Sequence, residues 1–251
     1  MTDPRQDTVW QATGLADTYL DGVRGAIPFA SAQIDILIRL ALAAQPAATS
    51  LLDLGCGDGI LGHALLDVYG GKVTTAVFAD FSSRMLEVAR GRLSGYDGLF
   101  LEIDYAQPDW AEVVAKSLPN GSDGFDVIVS GFSIHHQPDE RKREIYAEIY
   151  ALLSPGGLFL NLEHVASATR WVEEQFEEYF IDALYRHHAP NGKTRGEVAA
   201  EYYYRPDKSA NILAPVELQC DWLREIGYEH VDCYFKAFEL ALFGGMKPAS
   251  S

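Results

Sequence analysis

Leu51-Leu52-Asp53-Leu54-Gly55-Cys56-Gly57-Asp58-Gly59 is the stretch that decides the fold. The apolar residues around Asp53 read as a short strand, Ser50–Leu54. The glycines that follow permit a tight turn and a close approach of backbone to ligand. Ile60–Tyr69 then reads as a helix, closed by Gly70-Gly71, whose first N–H groups are free. A strand–turn–helix of this kind can also be plain connecting structure, so its neighbours must decide.

Outward from the loop, strands and helices alternate. Lys72–Ala79, rich in Val, Thr and Phe, reads as a buried strand. Ser82–Leu93 reads as a helix with Ser82 or Ser83 at its cap and Glu87 near the capping-box position. Leu99–Ile103, Phe125–Ser130 and Gly157–Leu162 are further strands, separated by helices over Asp109–Ser117 and Asp139–Leu153. Upstream, Ser31–Ala44 is a helix with Ser31 as its cap, ended by Pro46. The alternation implies an α/β fold, a parallel sheet with right-handed crossovers and helices on both faces. Near-continuous apolar strands suit burial on both sides.

Beyond residue 166 the character changes. Ser167–His188 reads as one long helix with His187-His188 on its exposed end. Residues 187–208 read as a polar loop carrying Tyr202-Tyr203-Tyr204-Arg205. Pro215–Ile226 is a helix capped by Gly227, and Val231–Phe235 and Ala237–Phe243 are closing strands. The expected organisation is a covering segment over 1–30 (its first 14 residues a loose leader), a sheet domain over 31–166 and 215–246, and a helical lid over 167–214. Ligand sites in such sheets lie at the carboxyl ends of the strands, where that lid would sit.

Bulk properties narrow the function. A length of 251 residues suits one α/β domain with a small elaboration. A net charge of −16 disfavours nucleic acid and anionic membrane as partners. The one basic run, Arg141-Lys142-Arg143, reads as a solvated helix face. Cys56, Cys220 and Cys233 show no paired spacing, which argues against a disulfide framework or a metal site and makes a cytoplasmic compartment the default. Met1–Gln11 is too polar for a signal peptide, and no apolar run approaches the roughly 20 residues of a membrane span.

Three residues stand where a nucleoside would need them. Asp80 ends the second strand, 21 positions after Gly59, and a carboxylate there can accept both ribose hydroxyls. Asp104 ends the third strand, at the adenine edge. Ser130 ends the fourth, beneath Gly131-Phe132-Ser133-Ile134-His135-His136. A dinucleotide fingerprint would read G-x-G-x-x-G, whereas this loop reads G-x-G-x-G. Asp53 and Asp58 flank it and would repel a pyrophosphate; a sulfonium with an ammonium group suits them.

On these residues, with Leu152-Leu153-Ser154-Pro155-Gly156-Gly157, the chain resembles the class I S-adenosylmethionine-dependent methyltransferases over roughly residues 30–163. The resemblance implies a Rossmann-like, seven-stranded, mostly parallel sheet whose last strand is antiparallel. It implies S-adenosylmethionine as cofactor and S-adenosylhomocysteine as product. Asp53, Gly55, Cys56, Gly57 and Gly59 would lie against the methionine part. Asp80 would hold the ribose, with Phe81 and Met85 beside it, and Asp104 would meet the adenine amino group next to Tyr105. Ser130 would wall the methionine side. The expected partner is a small-molecule acceptor, and a homodimer is compatible.

The chemistry itself is less marked, because methyl transfer needs alignment and a dry site more than a fixed residue. A base is needed only when the nucleophile carries a proton. His135 and His136 are candidates for it, against a structural hydrogen bond in their loop. Glu163 is a third, as base or amine-binding carboxylate against a capping role, and His164 is placed with the substrate. Arg24-x-x-Ile27-Pro28-Phe29 is similar to a pattern preceding the core in several small-molecule methyltransferases and in carboxy-S-adenosylmethionine synthases. There Tyr19 and Arg24 would close over cofactor and Phe29 over substrate. Tyr203 and Arg205 would serve substrate from the lid, against plain packing of the insertion. Three other readings remain: a non-methylating synthase of the kind just named, a non-catalytic cofactor-binding scaffold, and a nicotinamide-dependent dehydrogenase.

Overall fold

The computed structural model describes residues 5 and 7–250; Met1–Pro4, Gln6 and Ser251, the first two falling within the expected leader, lie outside the described residues. The strands are β1 Ser50–Leu54, β2 Thr75–Asp80, β3 Leu99–Glu102, β4 Phe125–Gly131, β5 Leu153–His164, β6 Glu229–Ala237 and β7 Leu240–Met246. Among the described residues they form one seven-stranded sheet in the order β3-β2-β1-β4-β5-β7-β6. β1 to β5 pair in parallel, and β7 runs antiparallel to both β5 and β6. The Rossmann-like sheet with an antiparallel last strand is therefore present.

Side chains alternate across each strand, and the core divides accordingly. Leu52 and Leu54 pack with Ile128, Tyr146, Phe159 and Trp222 on one face. Leu51 packs with Leu37, Leu65, Phe78 and Val127 on the other. The covering helices are α1 Thr13–Gly22, α2 Ala30–Ala44, α3 Ile60–Tyr69, α4 Ser83–Arg92, α5 Trp110–Ala115, α6 Asp139–Leu152, α7 Arg170–His188, α8 Arg195–Val198 and α9 Val216–Ile226. Ser82 caps α4, its hydroxyl accepting from the Met85 N–H at 3.4 Å. Gly227 ends α9 in the left-handed region at φ 114°. Among the described residues no single helix is long and apolar enough to cross a membrane.

Five local expectations need correction. The basic run is not a wholly solvated face, because Lys142 is buried with its Nζ donating to Asp139 at 2.7 Å. Ser31 is not a cap: α2 opens at Ala30 behind Phe29, which is itself left-handed at φ 58°. Where it is described, the leader is not loose, because Asp7–Gln11 forms a 3-10 turn that runs into α1. Gln137 Nε2 donates to Asp7 at 2.8 Å, and Arg5 donates to Asp104 at 2.5 and 3.1 Å. Residues 187–208 are not a polar loop but a chain of short helical turns, α8 opening with a Thr194–Glu197 capping box. His188 is buried, not exposed: its Nε2 donates to the Gly22 carbonyl at 2.7 Å and its ring stacks on Tyr202.

Candidate active site

The glycine loop leaves β1 with Gly55, Gly57 and Gly59 all at positive φ, a region that side chains other than glycine's occupy at a cost. A Cβ on Gly55 would stand 2.0 Å from Ser133 Oγ, whereas one on Gly57 would meet nothing within 4 Å. The first glycine thus packs the loop against the β4 loop, and the second borders open cavity.

Two carboxylates stand beside it. Asp80 accepts from the Gly57 and Ser82 N–H groups, each at 2.8 Å, so the loop and the cap of α4 fix its orientation. Burial pushes it up to about 6. Asp53 accepts from the Gly62 N–H at 2.9 Å through Oδ2, while its Oδ1 is buried with no partner among the described residues. Burial pushes Asp53 up to about 8. Asp58 is already neutralised, by Arg92 at 2.7 Å and Arg24 at 3.6 Å.

One cavity over the carboxyl edge of the sheet gathers most of the expected residues. From the cofactor set it is lined by Tyr19, Arg24, Asp53, Gly55, Cys56, Gly57, Asp80, Phe81, Met85 and Tyr105. From the chemical and substrate sets it is lined by His135, His136, His164, Tyr203 and Arg205.

Five expected residues stay off its wall. Gly59 lies behind the loop, where a Cβ would strike Leu93 at 2.9 Å. The Asp104 carboxylate is held by Arg5, which keeps it below its ordinary value against the opposing effect of partial burial. Ser130 is fully buried and Gly131 lines the cavity instead, because successive strand residues face opposite ways. Phe29 is half exposed and stacks on Tyr179 at 5.8 Å, leaving Ile27 on the wall. Glu163 sits one layer beneath, fully buried.

Glu163 nevertheless organises the centre. Its carboxylate accepts from His135 Nδ1 at 2.6 Å, from the His135 N–H at 3.0 Å, from the His164 N–H at 3.0 Å and from Asn161 Nδ2 at 3.4 Å. Adjacent parallel strands explain the meeting, since β4 and β5 pair through Ser130–Asn161 and Gly131–Leu162. Burial pushes Glu163 up to about 7 and, with nearby His164 and Lys142, holds His135 well below its ordinary value. With Glu163 ionised, the 2.6 Å contact places the ring proton of His135 on Nδ1. Asn211 also makes a side-chain hydrogen bond to the His135 ring.

His136 is a different case. Its Nδ1 donates to the Ala210 carbonyl at 3.1 Å, its ring packs against Trp10, and burial pushes it down to about 3. Among the described residues no carboxylate is hydrogen-bonded to its ring. The pair left open in the sequence is thereby separated: His135 has a partner suited to proton transfer and His136 joins the lid to the β4 loop. Among the described residues no group of three or more His, Cys, Asp or Glu side chains is arranged to hold a metal ion.

Asp7, Trp10, Lys208 and Asn211 also line the cavity and were not among the expected residues. No local motif marks them, because each arrives by a long-range contact of the N-terminal turn or the lid. Asp58, also on the wall, did carry a signal inside the glycine loop itself.

A Rossmann-like sheet with a polar cavity over its carboxyl edge, a bent glycine loop and an aligned carboxylate after β2 defines a nucleoside-cofactor enzyme. A family model for the methyltransferase domain matches residues 51–157. The demethylmenaquinone methyltransferase of Clavibacter sepedonicus is 30% identical, over 82% of this chain and 76% of its own. The carboxy-S-adenosyl-L-methionine synthase of Desulforapulum autotrophicum is 25% identical, over 93% of this chain and 89% of its own. The structure of an O-methyltransferase family protein from Burkholderia thailandensis shares the fold, with a TM-score of 0.67 at 16% identity over 98% of this chain. This chain spans 64% of that structure's length, just under two thirds. The chain belongs to the class I S-adenosylmethionine-dependent methyltransferase family, and S-adenosylmethionine is its cofactor.

Proposed function

We propose that this enzyme transfers a methyl group to a hydroxyl of a small-molecule acceptor, with His135 as general base oriented by Glu163. The observation that carries this reading is the 2.6 Å contact from Nδ1 of His135, on the cavity wall, to the carboxylate buried beneath it. A base is superfluous for a nucleophile that enters with a free lone pair, and necessary for one that carries a proton at neutral pH.

The residues fit the cofactor. The unpartnered Oδ1 of buried Asp53 suits an ammonium group, and the open space over Gly57 admits a ligand against bare backbone. Asp80, held by two N–H groups, keeps acceptor lone pairs for ribose hydroxyls. S-adenosylmethionine supplies a methyl group on a positively charged sulfur, open to in-line displacement. His135 would take the acceptor's proton on Nε2 as the acceptor oxygen attacks, and the sulfonium would supply the methyl carbon with a neutral thioether as leaving group. Glu163 stabilises the resulting imidazolium, as in other nucleophile–base–carboxylate arrangements. Asn211, which also lines the cavity, holds the ring from the other side. Trp10, Tyr105 and the lid keep water from the step.

The test is His135→Ala assayed for methyl transfer to hydroxylated acceptors beside binding of S-adenosylhomocysteine. Loss of transfer with binding retained supports the assignment; wild-type transfer by the variant overturns it.

A second reading is carboxymethyl rather than methyl chemistry on the cofactor. One observation favours it. Arg205 lines the cavity with two nitrogens on Asp207 at 2.9 and 3.0 Å, while its buried Nη1 has no partner among the described residues. A carboxylate would satisfy that nitrogen. Mass spectrometry of the ligand carried through purification separates the two readings.

A further inference from the structure

A second histidine–carboxylate pair stands beside the first and has no part in the chemistry above. His164 ends β5, and its Nε2 lies 2.7 Å from Glu239 Oε2. Glu239 is buried and firmly held: its other oxygen accepts from the Ser167 hydroxyl at 2.7 Å, and its backbone carbonyl accepts from the Val165 N–H at 2.8 Å. A carboxylate on Nε2 places the proton there and leaves Nδ1 as an acceptor. That nitrogen has no partner among the described residues, and the ring lines the cavity.

The two pairs are built together. The Glu163 oxygen that accepts from His135 Nδ1 also accepts from the His164 backbone N–H. The two imidazoles sit 5.7 Å apart, centre to centre, at an interplanar angle of 70°. Phe176 lies 5.7 Å from His164 and stacks on Phe180, with Tyr203 edge-on to Phe180. All three rings line the cavity. Such a wall accommodates a flat aromatic body, and the few polar groups set its orientation.

We infer that the acceptor is an aromatic ring carrying two hydroxyls on the same ring, one presented to His135 for methylation and the other donating to His164 Nδ1. This rests on the reading of His135 as base. His164 is then the residue that sets specificity: it fixes which hydroxyl faces the methyl donor. The Glu239–His164 contact fixes the tautomer, so the site recognises a donor and has no complementary donor for a second carboxylate at that position. A hydroxyl-binding site that loses its partner leaves a polar nitrogen unpaired, so discrimination by one such bond is worth roughly tenfold.

The experiment is methyl transfer by the full chain with S-adenosylmethionine and matched phenols: phenol, 1,2- and 1,3-dihydroxybenzene, 2-methoxyphenol and 2-hydroxybenzoate. The inference expects kcat/KM for one of the dihydroxybenzenes to exceed that for phenol and 2-methoxyphenol by about tenfold or more. It expects His164→Ala to bring that ratio near one, chiefly through KM. It expects His164→Asn, whose amide oxygen stands near the place of Nδ1, to retain part of the ratio. A purely structural His164 would lower all rates together and leave the ratio alone, and that result overturns the inference. So does a preference for 2-hydroxybenzoate. Phenols methylated without preference refute the second-hydroxyl site while leaving the base assignment standing. If S-adenosylhomocysteine binds but no phenol is methylated, both fall.

Discussion

Replacing Glu163 with Gln tests how the site is made to work. The change keeps shape and removes charge. Glu163 receives hydrogen bonds from four donors, two of them from His135. An amide offers one oxygen, and its NH2 group faces the remaining donors. Two buried N–H groups then lose their partners, at about 1–3 kcal/mol each, against a typical domain stability of about 5–15 kcal/mol. Glu163→Gln should therefore fold with a clearly lowered melting temperature. In the proposed reaction, the imidazolium on His135 would lose a charge-assisted hydrogen bond worth about 1.5–3 kcal/mol. That corresponds to a fall in kcat of roughly tenfold to a hundredfold. The assay is steady-state methyl transfer beside calorimetric binding of S-adenosylhomocysteine, with thermal melts as the control for folding. A folded variant that binds the product normally and turns over at the wild-type rate would refute the base–carboxylate account.

Two further outcomes follow from the glycine loop and its carboxylates. Gly55→Ala drives a Cβ to within 2.0 Å of Ser133 Oγ, and Gly57→Ala drives one into open cavity; both positions have positive φ. The first should destabilise the fold, read by melting. The second should cost stability only by about 1–2 kcal/mol of backbone strain while lowering cofactor affinity at least about tenfold, read by calorimetry. Equal effects on affinity and stability at the two positions would contradict the loop geometry. The pH dependence has a definite sign. Asp53, Asp80 and Glu163 titrate at about 8, 6 and 7 in the folded protein, all raised by burial. Between the ordinary carboxylate range and those values the folded protein holds protons that the unfolded chain has lost, so ligand-free stability falls as pH rises through that window. A cationic ligand reverses the trend: binding releases the Asp53 proton, so affinity rises with pH up to about 8. Proton release is read from the buffer dependence of the binding enthalpy, and its absence would contradict the Asp53 assignment.

What the sequence disclosed follows from the range over which its signals act. The alternation of apolar strands with helices is local, so the sheet, its order of elements and the glycine loop could be read directly. Asp80 was found because it ends a strand whose neighbour carries the loop. Asp104 lies two residues beyond β3, and Arg5 comes from 99 residues away to occupy it; no spacing rule reports that. Ser130 and Gly131 differ only in which way the strand turns them, a one-residue matter that shifts the wall of the cavity. Glu163 was a candidate from its place at the end of β5. Its partnership with His135 required knowing that β4 and β5 are adjacent. The short helical turns of residues 187–208 are fixed by contacts such as His188 with Gly22, beyond the reach of local propensity.

The central claim is that Asp53, Asp80 and the loop between them hold the cofactor so that its methyl group faces His135. It is tested most directly by titrating the protein and its Asp80→Ala variant with S-adenosylhomocysteine and with a nicotinamide dinucleotide in a calorimeter. The account predicts saturable binding of S-adenosylhomocysteine to the wild type and none of the dinucleotide. Loss of the two ribose hydrogen bonds in the variant should weaken binding by about 2–4 kcal/mol, roughly thirtyfold or more. Unchanged affinity in Asp80→Ala, or tighter binding of the dinucleotide, would contradict it.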